Sequence, residues 1–237
     1  MTGDGSTNAG EGMGPTRNAS IAGGIAGIIG WAVFAVAFAI APTPPTLGAS
    51  AAEITRYYGE HHTATLIAAF LFAATAPVFA VWTGALAPRL RGAEGEAAWL
   101  YLTFVTGVAV TLAVDVCASF MLMALSGRGW SLGDATALTL SDIANYGFIF
   151  TGFGSVVFIA AASIVMIRTA EISRILGQLG LLVAAAQVVY LFTAFFTDGV
   201  MVGGGPITIA GFTLLGLWLL AVSIAMIVRA PAAANTR

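Results

Sequence analysis

The sequence predicts an all-α fold: a polytopic membrane helix bundle of six transmembrane helices, with an outer interfacial helix between spans 1 and 2. Three observations carry this. The 237-residue chain is 59% hydrophobic and only 8% charged, with a mean hydropathy of +0.94, whereas a soluble domain carries about 25% charged residues because its surface faces water. Six apolar segments reach the roughly 20 residues that a helix needs to cross ~30 Å of hydrocarbon. The joints between them carry breakers such as "PTPP", "PRLRG", "SGRGWSLGD" and "TDGVMVGGGP".

Residues 1–19 are rich in Gly, Ser, Thr and Asn and have too little apolar surface to order themselves, so a disordered cytoplasmic tail is expected there. The first apolar run, Ile21–Ala41, begins too late and runs too long for a secretory signal, and is expected to remain as the first span. Its "GGIAGIIG" sets Gly23, Gly27 and Gly30 near one stripe, where a neighbouring helix can approach closely. Next, Ser50 and Glu53 have capping-box spacing, so a helix is expected to start at Ala51. Ile54, Tyr57, Tyr58 and His61 share one face of it and Glu53, Arg56 and Glu60 the other, the pattern of a helix lying at the interface as a lid. His61 and His62 are either part of that lid or a proton relay.

The later spans are expected at Thr63–Ala87, Ala98–Leu125, Ile143–Ile167, Ile175–Phe196 and Ile207–Val228, giving a transmembrane domain over 20–229 and a short cytoplasmic tail over 230–237. Arginine placement orients them. With the N-terminus inside, Arg17, Arg89, Arg91, Arg168, Arg174, Arg229 and Arg237 are cytoplasmic, while only Arg56 and Arg128 lie outside. The positive-inside rule therefore places both termini in the cytoplasm of a multi-pass cell-membrane protein. The first three and last three spans show no visible similarity, so an inverted-repeat transporter finds no support.

Asp115 is the only charged residue between Ala97 and Leu125. A charged side chain near the bilayer centre costs about 2.5–3.5 kcal/mol on insertion scales, and no cap or turn accounts for this one. Thr111 and Ser119, one turn to either side, are expected to hydrogen-bond it. Desolvation disfavours the ionised form, so the sequence expects a neutral acid. Two readings stay open: glue to a neighbour such as Gln187 or Tyr190, or an acid in a water-poor cavity. Asp142, Asn145 and Tyr146 share a face at the entry to the fourth span, where Asp142 is either a first-turn cap or part of a polar wall. Asp198 sits in a turn before "GGGP".

The near-neutral charge balance, −2, argues against nucleic acid as a partner. A single cysteine, Cys117, excludes an internal disulfide. No metal-ligand cluster is visible, and neither metal nor cofactor is expected.

The stretches "ASAAEITRYYGEHHTATLIAAFLF", "APRLRGAEG" and "LSDIANYGF" resemble a large group of uncharacterised actinobacterial six-helix membrane proteins, over roughly residues 20–230. That group implies the fold but no activity. In size and hydrophobicity alone, the chain is also similar to the small integral-membrane terpene cyclases of actinomycete natural-product pathways; no catalytic motif of theirs is matched and no site is carried over.

The favoured expectation is a membrane-embedded cyclase or isomerase of a lipophilic isoprenoid, starting by protonation. Asp115 is its expected acid, with Asp142, Tyr146 and Asp198 as further catalytic candidates. Carbocations need π-faces, and Phe104, Phe120, Phe150, Phe153, Tyr190, Phe192 and Phe195 are the expected substrate lining. A permease component with Asp115 binding a proton or cation, and a non-catalytic accessory protein, are the alternatives.

Overall fold

The computed structural model describes residues 17–128 and 131–230. Residues 1–16 and 231–237, which hold most of the expected tails and Arg237, lie outside them. Among the described residues the fold is all-α: α1 (Arg17–Ile40), α2 (Ala51–Glu60), α3 (His62–Glu94), α4 (Trp99–Arg128), α5 (Asp134–Thr169), α6 (Arg174–Leu191) and α7 (Pro206–Val228). All but α2 belong to the six segments that are long and apolar enough to cross a membrane. The protein is therefore a multi-pass membrane protein.

Packing runs in sequence order and closes on itself. α1 lies against α3, α3 against α4, α4 against α5, α5 against α6, α6 against α7, and α7 returns to α1. The joint between α6 and α7 is the sparsest side of this ring. Close approach depends on small residues, as expected where lipid offers no hydrophobic drive for helices to associate. A β-carbon on Gly27 would collide with Ser223 of α7 and Trp82 of α3, so α1 sits wedged between those two helices. Gly107 of α4 and Gly154 of α5 let those backbones touch in the same way.

Each span turns a stripe inward whose residues alternate three and four apart. On α3 it reads Ala68, Phe72, Thr75, Phe79, Trp82 and Leu86; on α7 it reads Thr208, Phe212, Leu215, Leu219, Val222 and Met226. That near-3.5 repeat is the seam of helices crossing at shallow left-handed angles.

α2 forms as expected. Ser50 Oγ accepts from the Glu53 backbone N–H while the Glu53 carboxylate accepts from Ser50 N–H at 2.8 Å, completing the capping box. Ile54 and Tyr58 are buried against Leu125 of α4 and Ala137 of α5. Tyr58 is thus packed inside the protein, and Tyr57 is partly exposed. This packing also lengthens α5. Ala137, Leu138 and Leu140 join the same cluster, so the helix starts at Asp134 instead of near Ile143. Asp142 consequently sits more than two turns inside α5, and its expected capping role is overturned.

The other end is tied by Arg89. Its guanidinium is 3% exposed and makes an ion pair with Glu171 at 2.9 Å, a hydrogen bond to Ser20 Oγ at 3.1 Å and another to the Arg229 carbonyl at 3.3 Å. Arg229 in turn donates to the Ile172 carbonyl. α1, α3, α7 and the α5–α6 connection thus meet on one cation. α3 runs through Pro88 to Glu94, past the break expected at Ala87, because Leu86 and Leu90 are both fully buried and hold the extra turns in place.

Candidate functional site

Inside the ring lie two adjoining chambers. The deep one, of about 70 Å3, is lined by Trp31, Phe34, Phe79, Trp82, Phe158 and Phe212 together with aliphatic and hydroxyl residues and Asp115. The upper one, of about 290 Å3, lies towards the lid, walled by Phe34, Phe38, Phe72, Phe148 and Phe212 and roofed by Tyr57 and Tyr58 of α2. Phe34 and Phe212 belong to both, so they form the neck between them.

Asp115 stands on the inward stripe of α4, between Thr111 and Ala118, and is 9% exposed. Among the described residues it is the only acid on either chamber. The partners expected from sequence do not serve it. Thr111 donates to the Gly107 carbonyl at 3.0 Å, as threonines in apolar helices commonly do. The Ser119 hydroxyl is buried without a hydrogen-bond partner among the described residues. Gln187 is taken by the Gly211 carbonyl at 2.8 Å and Tyr190 by the Phe148 carbonyl at 2.7 Å. The Thr151 hydroxyl donates to the same Phe148 carbonyl as Tyr190. What surrounds the carboxyl is therefore mainly ring and methyl.

The remaining hydroxyls of the deep chamber reinforce this. Thr75 donates to the Phe72 carbonyl at 2.7 Å and Thr151 to the Phe148 carbonyl at 2.6 Å, each within its own helix. Two donors on the chamber's residues, Trp82 Nε1 and Ser155 Oγ, are buried with no partner among the described residues. Groups of that kind are uncommon in folded proteins and call for a reason.

Of the expected lining residues, Tyr190 alone reaches a chamber, the upper one. Phe104 is fully buried but packs between Trp82 and Phe158, with ring centroids 6.0 and 6.2 Å away, outside either chamber. Phe120, Phe150, Phe153, Phe192 and Phe195 are exposed on the outside of the bundle, Phe195 to 79%. Phe120, Phe150 and Phe153 lie off the inward stripes of α4 and α5, Phe192 and Phe195 lie in the turn after α6, and their expected place on a substrate wall is corrected accordingly. Tyr146 faces outward against Phe150, ring centroids 6.0 Å apart, whereas Asn145 lines the upper chamber.

Asp142 and Asp198 line neither chamber, and Asp198 is exposed in the loop before α7. His61 meets Tyr57 edge-to-face with ring centroids 5.0 Å apart, and His62 is exposed with Nδ1 3.3 Å from the Gly59 carbonyl. Neither histidine lines a chamber, so nothing on the chamber walls relays from these groups to Asp115. Among the described residues, no group of three or more metal-ligating side chains occurs.

The aromatic wall missed by sequence reasoning comes from α1, α3 and α7, with Phe148 and Phe158 of α5. A usable signal was present on α1. Gly23, Gly27, Gly30, Phe34, Ala37 and Ala41 continue one stripe at spacings of four and three, so the glycines that mark the packed face also point to the inward ring.

On α2, outside the spans, hydrogen bonds from Ser50 hold the Glu53 carboxyl below its ordinary range, and burial pushes the Tyr57 phenol up to about 12. Compared with known proteins, the chain matches no family model, no curated protein and no solved structure.

Proposed function

We propose that the protein is a membrane-embedded cyclase or isomerase of a lipophilic isoprenoid, with Asp115 as the proton donor. One observation carries this reading: a two-chambered cavity walled by aromatic rings, with a single carboxyl on its deep chamber. Together the chambers reach the lower end of the ~300–1,000 Å3 range of ligand cavities. Tyr57, Tyr58 and Asn145 put polar atoms near the lid, suited to a substrate's polar head, while the deep chamber suits an apolar chain end.

The chemistry balances without a cofactor. The neutral Asp115 carboxyl gives its proton to an alkene carbon; the O–H bond breaks, a C–H bond forms, and the alkene π pair is consumed. A second alkene of the same chain attacks the resulting cation and closes a ring. Loss of a neighbouring proton to the Asp115 carboxylate restores an alkene and the acid. Faces of Trp31, Phe34, Trp82 and Phe212 stabilise the positive charge without capturing it. Because the cycle ends by returning a proton to Asp115, the product expected is an isomer of the substrate, whereas capture of the cation by water would give an alcohol.

The arginine distribution supports a cell-membrane orientation with both termini cytoplasmic and the lid outside. Arg17, Arg89, Arg91, Arg168, Arg174 and Arg229 lie at the end opposite α2, with Arg56 and Arg128 at the lid end. Solute transport would use the same acid, but the cluster around Arg89 closes the end where such a path must leave.

The test is turnover of prenylated substrates by membranes containing the protein, read by mass spectrometry as products of unchanged mass and altered retention. Asp115→Asn keeps the shape and removes the acid; expression should be normal and turnover should fall by about 100-fold or more, the usual scale of general-acid catalysis. An Asn variant with undiminished turnover removes the acid role.

A further inference from the structure

The roof of the upper chamber is fastened on several sides. Tyr57 donates its hydroxyl to the Pro42 carbonyl, tying α2 to the end of α1. The Leu47 N–H donates to the Gly203 carbonyl at 3.3 Å, joining the α1–α2 and α6–α7 connections. Ile54 and Tyr58 lock α2 onto α4 and α5. Entry from water past this roof requires breaking hydrogen bonds and unpacking buried rings.

The side wall between α1 and α7 differs. Below, the two helices are in tight contact, with Gly24 against Ser223 and Ile227, and the Trp31 ring resting on Gly216. Above that sill, side chains alone close the gap. Phe34 and Phe38 of α1 meet Phe212 of α7 with ring centroids 5.7 and 5.9 Å apart. Phe38 is 43% exposed and Ile209 51% exposed, and both line the upper chamber. One layer of side chains thus separates lipid from cavity. From Trp31 to Ala41 the opening spans about 15 Å at 1.5 Å per residue, and ring rotation needs no movement of the backbone.

We infer that a lipophilic chain enters the cavity sideways from the bilayer, through a window between α1 and α7 gated by Phe34, Phe38 and Phe212. Its occupant is the hydrocarbon chain of a membrane-dissolved amphiphile. The identification of that amphiphile as an isoprenoid rests on the proposed function; the route itself does not.

The probe is farnesol carrying a photoreactive diazirine, dissolved in phosphatidylcholine vesicles that hold the full chain with Cys117→Ala. Photolabel should appear on peptides containing Phe34, Phe72 and Phe148. Cysteines placed together as Phe38→Cys and Ile209→Cys, bridged by a thiol-reducible cross-linker, should bring that labelling to background, and reduction should restore it. Phe38→Ala should speed labelling, while Ile54→Ala, which loosens the roof at a residue lining neither chamber, should leave its rate unchanged. Labelling that persists through the bridge, or that accelerates in Ile54→Ala but not in Phe38→Ala, overturns the lateral route. Labelling is read without turnover, so a labelled cavity that forms no product counts against the isoprenoid chemistry alone. Product formed despite the bridge counts against the window alone.

Discussion

Asp115 shows what a residue in isolation can and cannot reveal. Its depth and the need for protein around it follow from the charge-free run on either side. Its neighbours do not follow, because Thr111 and Ser119 had a choice of acceptors that only the fold decides: Thr111 took the carbonyl of its own helix, and Ser119 took none. Asp142 was misjudged for a related reason, since the first turn of α5 is set by packing under α2 rather than by hydropathy.

The lid's residues carry a pH prediction at both edges. Glu53 is held below its usual 4.5, so the capping contribution is present above that value and is lost only as the pH falls through the lower folded one. Tyr57 is raised from 10 to about 12, so its contribution is complete below 10 and is lost as the pH rises towards 12. The protection factors of the α2 amides, exchange rates divided by the intrinsic rate at each pH, should therefore hold steady from the mildly acidic range to near pH 10 and fall beyond both limits. A fall in protection between pH 6 and 9 would contradict these assignments.

At the scale of the element, spans are easy to read and their rotation is hard. All six spans were legible because hydrocarbon thickness demands a length that few other contexts do. Which face turns inward was only partly legible, since a span is apolar all round and aromatic rings are as comfortable in lipid as in a core. Small residues break that tie: Gly27 and Gly30 identify the packed face of α1, and Phe34 follows on it, whereas Phe120 and Phe153 lie off such a stripe. Gly27→Ala puts a methyl group into Trp82 and Ser223 and should cost about 1–3 kcal/mol, as overpacking does. Gly84→Ala meets nothing within 4 Å and should be silent. Thermal unfolding in detergent compares the two; equal midpoints would mean that α1 does not depend on this wedge.

The whole molecule is a ring roofed by α2 at one end and clasped by Arg89 at the other. Its orientation is testable with cysteines at Thr136 and Arg91 and an impermeant thiol reagent applied outside intact cells. Thr136 should label and Arg91 should not, and the reverse result would turn the lid towards the cytoplasm. The clasp also sets an order of events during synthesis. Arg89 leaves the ribosome 82 residues before Glu171 and 140 before Arg229, the groups that later surround it. Until the α5–α6 connection arrives, a nascent chain therefore carries a cation without its carboxylate partner, and until α7 ends the guanidinium lacks its last acceptor. A chain that ends before Glu171 keeps that charge bare, so the clasp is completed in two steps, the ion pair first and the α7 carbonyl last.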